Sequence, residues 1–545
     1  MTRRAGRTGV GVAGLVLTLL LVWLVVYPIL LVVLDGARGD ALRIFTTRPS
    51  EWHALWASLW ISLASVALAA LVGLPLAFLF EWFEFPGRKL LGALIALPAV
   101  LPPFVGVIAF LFLYGESGFV ARFLQHVFGF QQAPWHLQGA GAILLVHTYS
   151  MYVYFYLFGR AGLAKLDAAM LEAAQVLGAN RVRTLFRVIL PLIRPALTGA
   201  ALLTFMTSLG SFSAPYVFGG GFRVMTTQIF ASKQNGEVGV AMIETVALAL
   251  VAMVGLALLR RTEGDDILVG LGKGTAPRRR TVARPLVRMV TAVLGWGLAI
   301  LLLLPHLTLI LVSLVPYATW TTETLPPVLS LVNYGRVFRE PERLEPLLNS
   351  LWMAAASTTV AVGLALAAGW LVVRRRVVWR APIDWLLSVP WALPGTVFAI
   401  ALATAFSVHA PLALRWVLVG SVILLPLAYL VRNLPVTGRA ILAGYRQLDP
   451  SLEEAAASLG AGGWRTLRRV TLPQLKPALA AGASLAFIGA LGDFVVSIVL
   501  YTYRNRPISI EIMSALRVNE IGVAAAFGVV LMVVSGVVLG LGARR

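Results

Sequence analysis

The sequence predicts an all-α polytopic membrane protein: about 12 transmembrane helices in two parallel six-helix repeats. Three observations predict it. Of 545 residues, 59% are hydrophobic and only 13% charged, with a mean hydropathy of +0.85. Many apolar runs reach the ~20 residues that cross a bilayer. Finally, one stretch occurs twice: Leu166–Leu197 and Leu448–Leu479 align without a gap and are identical at more than half their positions. A repeat spaced this widely reads as a duplicated domain, not a solenoid.

Taken in order, the first half is expected to span at 11–34, 58–80, 90–114, 139–159, 190–216 and 236–259. The second is expected to span at 289–315, 348–373, 383–407, 412–432, 476–500 and 520–542. This divides the chain into a first half (1–259), a linker (260–288) and a second half (289–545). The basic start, MTRRAGRTG, has a signal-peptide flavour. The apolar run Val10–Leu34 is too long for a signal core and has no clear small-residue cleavage site, so it reads as a retained first span. Both termini and the linker then share one side. The loops there hold most of the Lys and Arg, which makes that side cytoplasmic. The same bias accounts for the net charge of +21 without a nucleic-acid partner. There is no cysteine, which excludes disulfides, thiolate metal sites and cysteine nucleophiles.

The duplication reaches beyond the repeated stretch. Ser58-Leu59-Trp60 matches Ser350-Leu351-Trp352, and Pro98 and Pro102 match Pro390 and Pro394. Leu209-Gly210 matches Leu491-Gly492, and Val238-Gly239-Val240 resembles Ile521-Gly522-Val523. An even number of spans per half gives both halves one orientation, with a substrate path expected between them. The four prolines each remove a backbone donor inside a span. They mark either broken helices beside a pathway or packing kinks. Trp52, Trp56, Trp135 and Trp320 fall in the three longer outward segments, as interfacial anchors do. The linker holds Gly272-Lys273-Gly274-Thr275 but lacks the glycine spacing and preceding strand of a phosphate loop. With no such motif elsewhere in the chain, ATP hydrolysis would fall to another polypeptide.

Within the repeated stretch, Met170, Ala173, Ala174 and Leu177 fall at i, i+3, i+4 and i+7, as do Leu452, Ala455, Ala456 and Leu459. That spacing makes one apolar helical face. Gly178 and Gly460 follow where a helix ends in a left-handed residue. A second short helix is expected to carry Arg183 and Arg187, or Arg465 and Arg469, on one basic face. Pro191 and Pro473 then open an apolar run, where proline is tolerated.

Glu172, Ala173, Ala174, Gly178 and Pro191, with Glu454, Ala455, Ala456, Gly460 and Pro473, resemble the cytoplasmic EAA loop of ABC importer permeases. The resemblance implies that each loop docks into a groove on an ATPase subunit. It further implies an ATPase homodimer below, an extracytoplasmic solute-binding protein above, and a multi-pass location in the bacterial inner membrane. Fused permease halves narrow the group to ferric-iron, thiamine and some phosphonate-type permeases. Gly492–Arg517 is most similar to the ferric-iron permeases, and the expected cargo is ferric iron. Thiamine or a phosphonate-type solute is the alternative. A permease of this kind needs no cofactor and is not itself an enzyme. An ion-coupled secondary transporter also shows repeats and broken helices but has no use for the paired loops.

Ionisable groups inside spans are functional candidates. Asp493 lies in GALGDFVVS and Ser211 is its counterpart; Glu244 lies in VAMIETVAL and matches Phe527. These three are candidates for the translocation path; a carboxylate there suits a hard cation and cationic thiamine alike, so charge alone does not separate them. The alternative is structural: a bond to nearby backbone, or a pair with Arg223 or Arg504. Tyr152, Tyr154 and Tyr156 cannot share one helical face and read as packing residues. His147, in the same span, reads as a hydrogen-bonding residue rather than a ligand.

Overall fold

The structure, a computed structural model, describes residues 2–99, 102–261, 280–281, 285–316, 326–409 and 411–543. Trp320 and most of the linker, including Gly272–Thr275, lie outside the described residues. The first half runs as α1 (Thr2–Leu21), α2 (Tyr27–Gly36), α3 (Ala41–Thr47), α4 (Pro49–Trp82), α5 (Arg88–Ile95), α6 (Pro103–Tyr114) and α7 (Phe119–Phe128). It continues through α8 (Gly139–Leu163), α9 (Ala168–Val176), α10 (Arg181–Thr184), α11 (Leu190–Leu209), α12 (Ser213–Phe218), α13 (Met225–Gln234) and α14 (Val238–Arg261). The second half opens with α15 (Pro285–Ser313), α16 (Val332–Arg339), α17 (Pro341–Gly369), α18 (Arg380–Ser388), α19 (Gly395–Ala405) and α20 (Leu424–Gln447). It closes with α21 (Pro450–Ser458), α22 (Gly463–Thr466), α23 (Leu472–Leu491), α24 (Val495–Leu500), α25 (Ile508–Arg517) and α26 (Ile521–Ala543). A two-residue parallel bridge, Phe83–Glu84 with Arg280–Thr281, is the only sheet among the described residues.

Among the described residues ten helices are long and apolar enough to cross a membrane, and eleven if the bent pair Arg380–Ala392 and Gly395–Ala405 counts as one span. That pair turns by 111° at Pro390 and Pro394. The matching region of the first half also breaks, into α5, a 3-10 turn at Leu97–Ala99 and α6. α20 is the twelfth unit, aligned with α8, and its middle carries Arg432, Asn433 and Arg439. The apolar run predicted a span at 412–432; the helix instead covers 424–447. Gly420, at φ +84°, and residues 414–423 form a non-helical approach to it.

Proline shapes several helices in the same way. Pro191 and Pro473 have no N–H to give to the carbonyl four residues back. The turn before each widens to the π form, with Leu190 N–H donating to Leu185 O and Leu472 N–H to Leu467 O. The basic segment and the membrane entry, expected as separate helices, are therefore one helical run each: 181–209 and 463–491.

Each half lends its first helix to the other. Leu17, Leu21, Leu24 and Val25 are buried with Leu371, Ile383 and Leu387 of the second half. Ala299 and Leu302 of α15 are buried with Phe85, Leu91 and Ile95 of the first. Tyr149 Oη donates to Leu302 O across the same seam at 2.8 Å. Burial of large apolar side chains, each about 1.5–3 kcal/mol, thus holds the halves together independently of the linker.

Within the first half α4 and α8 approach closely. A Cβ on Gly73 would lie 2.4 Å from Tyr152 O, so only glycine allows that backbone contact. Tyr152 and Tyr156 are buried there, donating to Ile95 O at 2.6 Å and Gly92 O at 3.1 Å. They are packing residues with satisfied hydroxyls. Trp52 and Trp56 are exposed, while Trp135 donates Nε1–H to Tyr114 O.

Candidate functional site

The two repeated stretches build the same object from the same local chemistry. Asp167 and Asp449 cap α9 and α21, accepting from Ala169 N–H at 3.0 Å and Ser451 N–H at 2.9 Å. That backbone donor holds the Asp449 carboxyl below its ordinary range. At the other end Gly178 and Gly460 take φ of +75° and +77°. Ala179 N–H then closes on Ala174 O and Ala461 N–H on Ala456 O, both at 3.0 Å, the six-to-one bond of a glycine-ended helix. The second alanine of each Glu-Ala-Ala is therefore the acceptor that the glycine turn satisfies.

α9 and α21 have no buried residue. Leu177 and Leu459, the last members of the predicted apolar faces, are 85% and 89% exposed. Val176 and Trp464 stand beside them in solvent. Met170, Ala173, Leu452 and Ala455 are likewise unburied, and Glu172 and Glu454 are exposed. An uncovered apolar strip on two matched helices is a surface of the kind that docks a partner.

The residue before Glu454 escaped the sequence reading. Glu453 accepts from Thr471 Oγ1 at 2.8 Å and pairs with Arg374 Nε at 3.3 Å. Arg374 also donates to Leu448 O at 2.9 Å. In the first half the aligned position is Leu171, which packs with Trp82 on an apolar cluster. The signal was the mismatch itself, a carboxylate set against a leucine in an otherwise matched stretch.

At the centre the helix breaks of one half sit on those of the other. A Cβ on Gly492 would lie 2.4 Å from Pro102 Cβ, and one on Gly210 would lie 3.5 Å from Pro394 Cα. Phe212 and Phe494, the residues two past each glycine, face one another at 5.8 Å between ring centroids. Phe104 stacks on Phe494 at 3.8 Å with planes 6° apart. The prolines therefore belong to broken helices at the seam between repeats.

The three path candidates occupy different settings. Asp493 is buried; Oδ1 accepts from Val496 N–H at 2.8 Å, capping α24, and Oδ2 lies 3.1 Å from Arg432 Nη1. Its partner is thus Arg432 of α20, neither Arg223 nor Arg504. A Cβ on Gly395 would lie 1.8 Å from Arg432 Nη1, so that glycine clears the space for the guanidinium. Ser211 faces His147 Nε2 at 2.9 Å, and Ser65 and Ser208 face His147 Nδ1 at 3.0 and 3.1 Å. The first half therefore builds a hydroxyl–imidazole network where the second builds an ion pair. Glu244 lies elsewhere, fully buried, bonded to Ser232 Oγ at 2.7 Å. The sequence brings Ser211 and Asp493 to the seam and leaves Glu244 apart from them.

Paired helical repeats that cross a membrane, meet at broken helices and share a duplicated exposed helix define a multi-pass transport permease. The chain belongs to the family of binding-protein-dependent transport system inner membrane components, which matches residues 71–263 and 360–544. It carries two fused copies of that domain and is an ABC importer permease. It is 30% identical to "Probable ABC transporter permease protein y4fN" of Sinorhizobium fredii, over 88% of this chain and 84% of that protein. It is 28% identical to "Ferric transport system permease protein FbpB" of Actinobacillus pleuropneumoniae, over 80% of this chain and 63% of that one. It is 27% identical to "Thiamine transport system permease protein ThiP" of Escherichia coli, over 82% of this chain and 80% of the relative. The chain thus spans less than two thirds of the ferric relative's length.

Proposed function

We propose that this permease imports ferric iron handed over by an extracytoplasmic binding protein, driven by a cytoplasmic ATPase homodimer docked on α9 and α21. Both termini and the linker would lie on the ATPase side. The observation that carries the reading is the matched pair of exposed helices, each ended by a left-handed glycine. Closure of an ATPase dimer would draw the two helices together. The seam at Phe212, Phe494 and the proline breaks would then pass between outward and inward access. This is a population shift set by the ATPase's different affinity for the two arrangements.

Ser211 and Asp493 would line the route at that seam, with Arg432 beside them. The ferric cargo rests on the ferric relatives and on the likeness of Gly492–Arg517. Asp493 does not add to it, because its carboxylate is already occupied by Arg432 and the α24 cap. Relatives named for thiamine transport make a cationic vitamin the second reading.

Co-purification with the ATPase, followed by coupled hydrolysis and uptake assays, tests the docking. Neither Gly178 nor Gly460 has an atom within 4 Å of a built Cβ, so valine at both leaves packing intact. Valine straining both left-handed turns should abolish uptake while the protein stays folded in the membrane. Full uptake by that double variant would remove the docking assignment. Metal analysis of the purified binding protein decides the cargo: iron supports the ferric reading, and a bound organic amine without iron replaces it with thiamine.

A further inference from the structure

The break between α18 and α19 gathers donors that lack acceptors. Gly395 and Thr396 are the first two residues of α19, an 11-residue helix. Their N–H groups have no carbonyl four residues back within the helix. Val397 N–H, the next, already turns back onto Pro394 O at 3.0 Å. The Thr396 hydroxyl is fully buried and has no hydrogen-bond partner. Arg432 Nη1 lies against Gly395, 1.8 Å from where a Cβ would stand. It too is buried with no hydrogen-bond acceptor, although Asp493 Oδ2 is 3.1 Å away. The Arg432 side chain as a whole is 36% exposed, so the guanidinium borders open space.

The charges at this place do not balance. The start of α19 adds about half a positive charge to the full charge of Arg432. Asp493, the carboxylate beside them, is largely taken: its Oδ1 accepts from Val496 N–H at 2.8 Å and from Ser497 N–H at 3.4 Å. Buried polar groups without partners are unfavourable. A helix start faced by a guanidinium is ready to receive an anion.

The first half has no such place. Pro103 and Phe104 stand for Gly395 and Thr396, so the first N–H is missing and a ring replaces the hydroxyl. That ring stacks on Phe494. Counting back from the repeated stretches, Ser150 stands for Arg432, and its hydroxyl is satisfied by Val146 O at 2.9 Å. The donors are thus confined to one side of the seam. Gly210 of the first half lies over Pro394, with a built Cβ 3.5 Å from Pro394 Cα. Gly395 and Thr396 therefore stand next to the contact that a moving seam would open.

We propose that Gly395, Thr396 and Arg432 form an anion site on the route, which takes a carboxylate or phosphate-like oxygen group of the cargo. This rests on the reading of the chain as an importer whose route runs through the seam. Iron would cross as a chelate of negative charge, not as a bare cation, and a free oxyanion would use the same donors. The Thr396 hydroxyl and the two N–H groups grip the anion once the seam parts, with Arg432 on its open side. Cargo then favours the parted arrangement by supplying acceptors that the closed one lacks.

The test titrates the full-length permease alone in phosphatidylcholine nanodiscs, following melting temperature at a constant ionic strength set with chloride. The probes are inorganic phosphate, citrate with and without ferric iron, and thiamine. At least one of the anions should raise the melting temperature saturably, as a ligand of the folded state does, and thiamine should not. A response to ferric citrate alone makes the occupant a chelate; one to phosphate or iron-free citrate makes it a free anion. Thr396→Val should leave the unliganded melting temperature unchanged or higher, because it removes an unsatisfied hydroxyl. It should still weaken anion binding about tenfold, the worth of one hydrogen bond to a charged group, and Thr396→Ser should restore it. If Thr396→Val does not fold, Arg432→Lys takes its place and should weaken the anion by losing the guanidinium fork. No response to any anion, a response to thiamine alone, or equal anion affinity in wild type and the variant overturns the proposal. With neither ATPase nor binding protein present, that failure leaves the docking assignment standing, and failure of the docking assays leaves this result intact.

Discussion

At the scale of single residues, the seam is held by groups that have no substitute nearby. Asp493 is buried, caps α24 and faces Arg432. Removing the guanidinium leaves a buried charge with one partner fewer, which costs about 3–5 kcal/mol when the pair is fully enclosed. Arg432 is 36% exposed, so Arg432→Met should destabilise by about 3 kcal/mol, the low end of that range. Adding Asp493→Asn to it should recover most of the loss, because the amide still accepts from Val496 N–H. A double-mutant cycle in thermal unfolding measures the coupling, and additive losses would mean the two groups do not interact. Gly73, inside the first half, is likewise without a substitute. Gly73→Leu drives carbon into the α8 backbone and should cost about 3 kcal/mol or more. Gly106→Ala, where nothing lies within 4 Å of the new Cβ, should pass unnoticed in the same assay.

At the scale of elements, α9 and α21 look alike but are anchored differently. The second is tied down by Arg374–Glu453 and Thr471, the first by Leu171 against the Trp82 cluster. Glu453→Ala should therefore loosen α21 and lower ATPase-coupled uptake several-fold, with Glu454→Ala, exposed and unanchored, leaving the fold unaffected. Limited proteolysis at Ala461–Gly463 checks it, and equal protection in Glu453→Ala and wild type would count against the anchor. Much of these two elements was legible in the sequence. The small-residue face and the terminal glycines each act within one or two turns, and short-range chemistry leaves its mark in spacing. What spacing could not show was the anchor, because Arg374, in the π turn that follows α17, meets Glu453 of α21 only in the folded chain. Nor could it show Arg432 as the partner of Asp493. Hydropathy set the tenth span at 412–432, which puts Arg432 at its end. The helix begins at Leu424 and carries that arginine inward to the seam.

At the scale of the whole molecule, duplication predicted two equivalent bundles side by side, whereas the structure exchanges their first helices. Periodicity and hydropathy describe how apolar a helix is but not which neighbour covers it. The run from Leu17 to Val25 suits either half equally well. The exchange makes a sharp expectation, since the chain has no cysteine of its own. A Cβ on Gly14 would lie 3.5 Å from Val377 Cβ, within the separation a disulfide spans. The pair Gly14→Cys and Val377→Cys should therefore cross-link on mild oxidation. With a protease site placed in the linker, the cut halves should stay together on a non-reducing gel and part once reductant is added. Halves that separate without reductant would show that α1 packs within its own repeat. The exchange would then be lost, and with it the means by which movement of one half's broken helices is carried directly to the other.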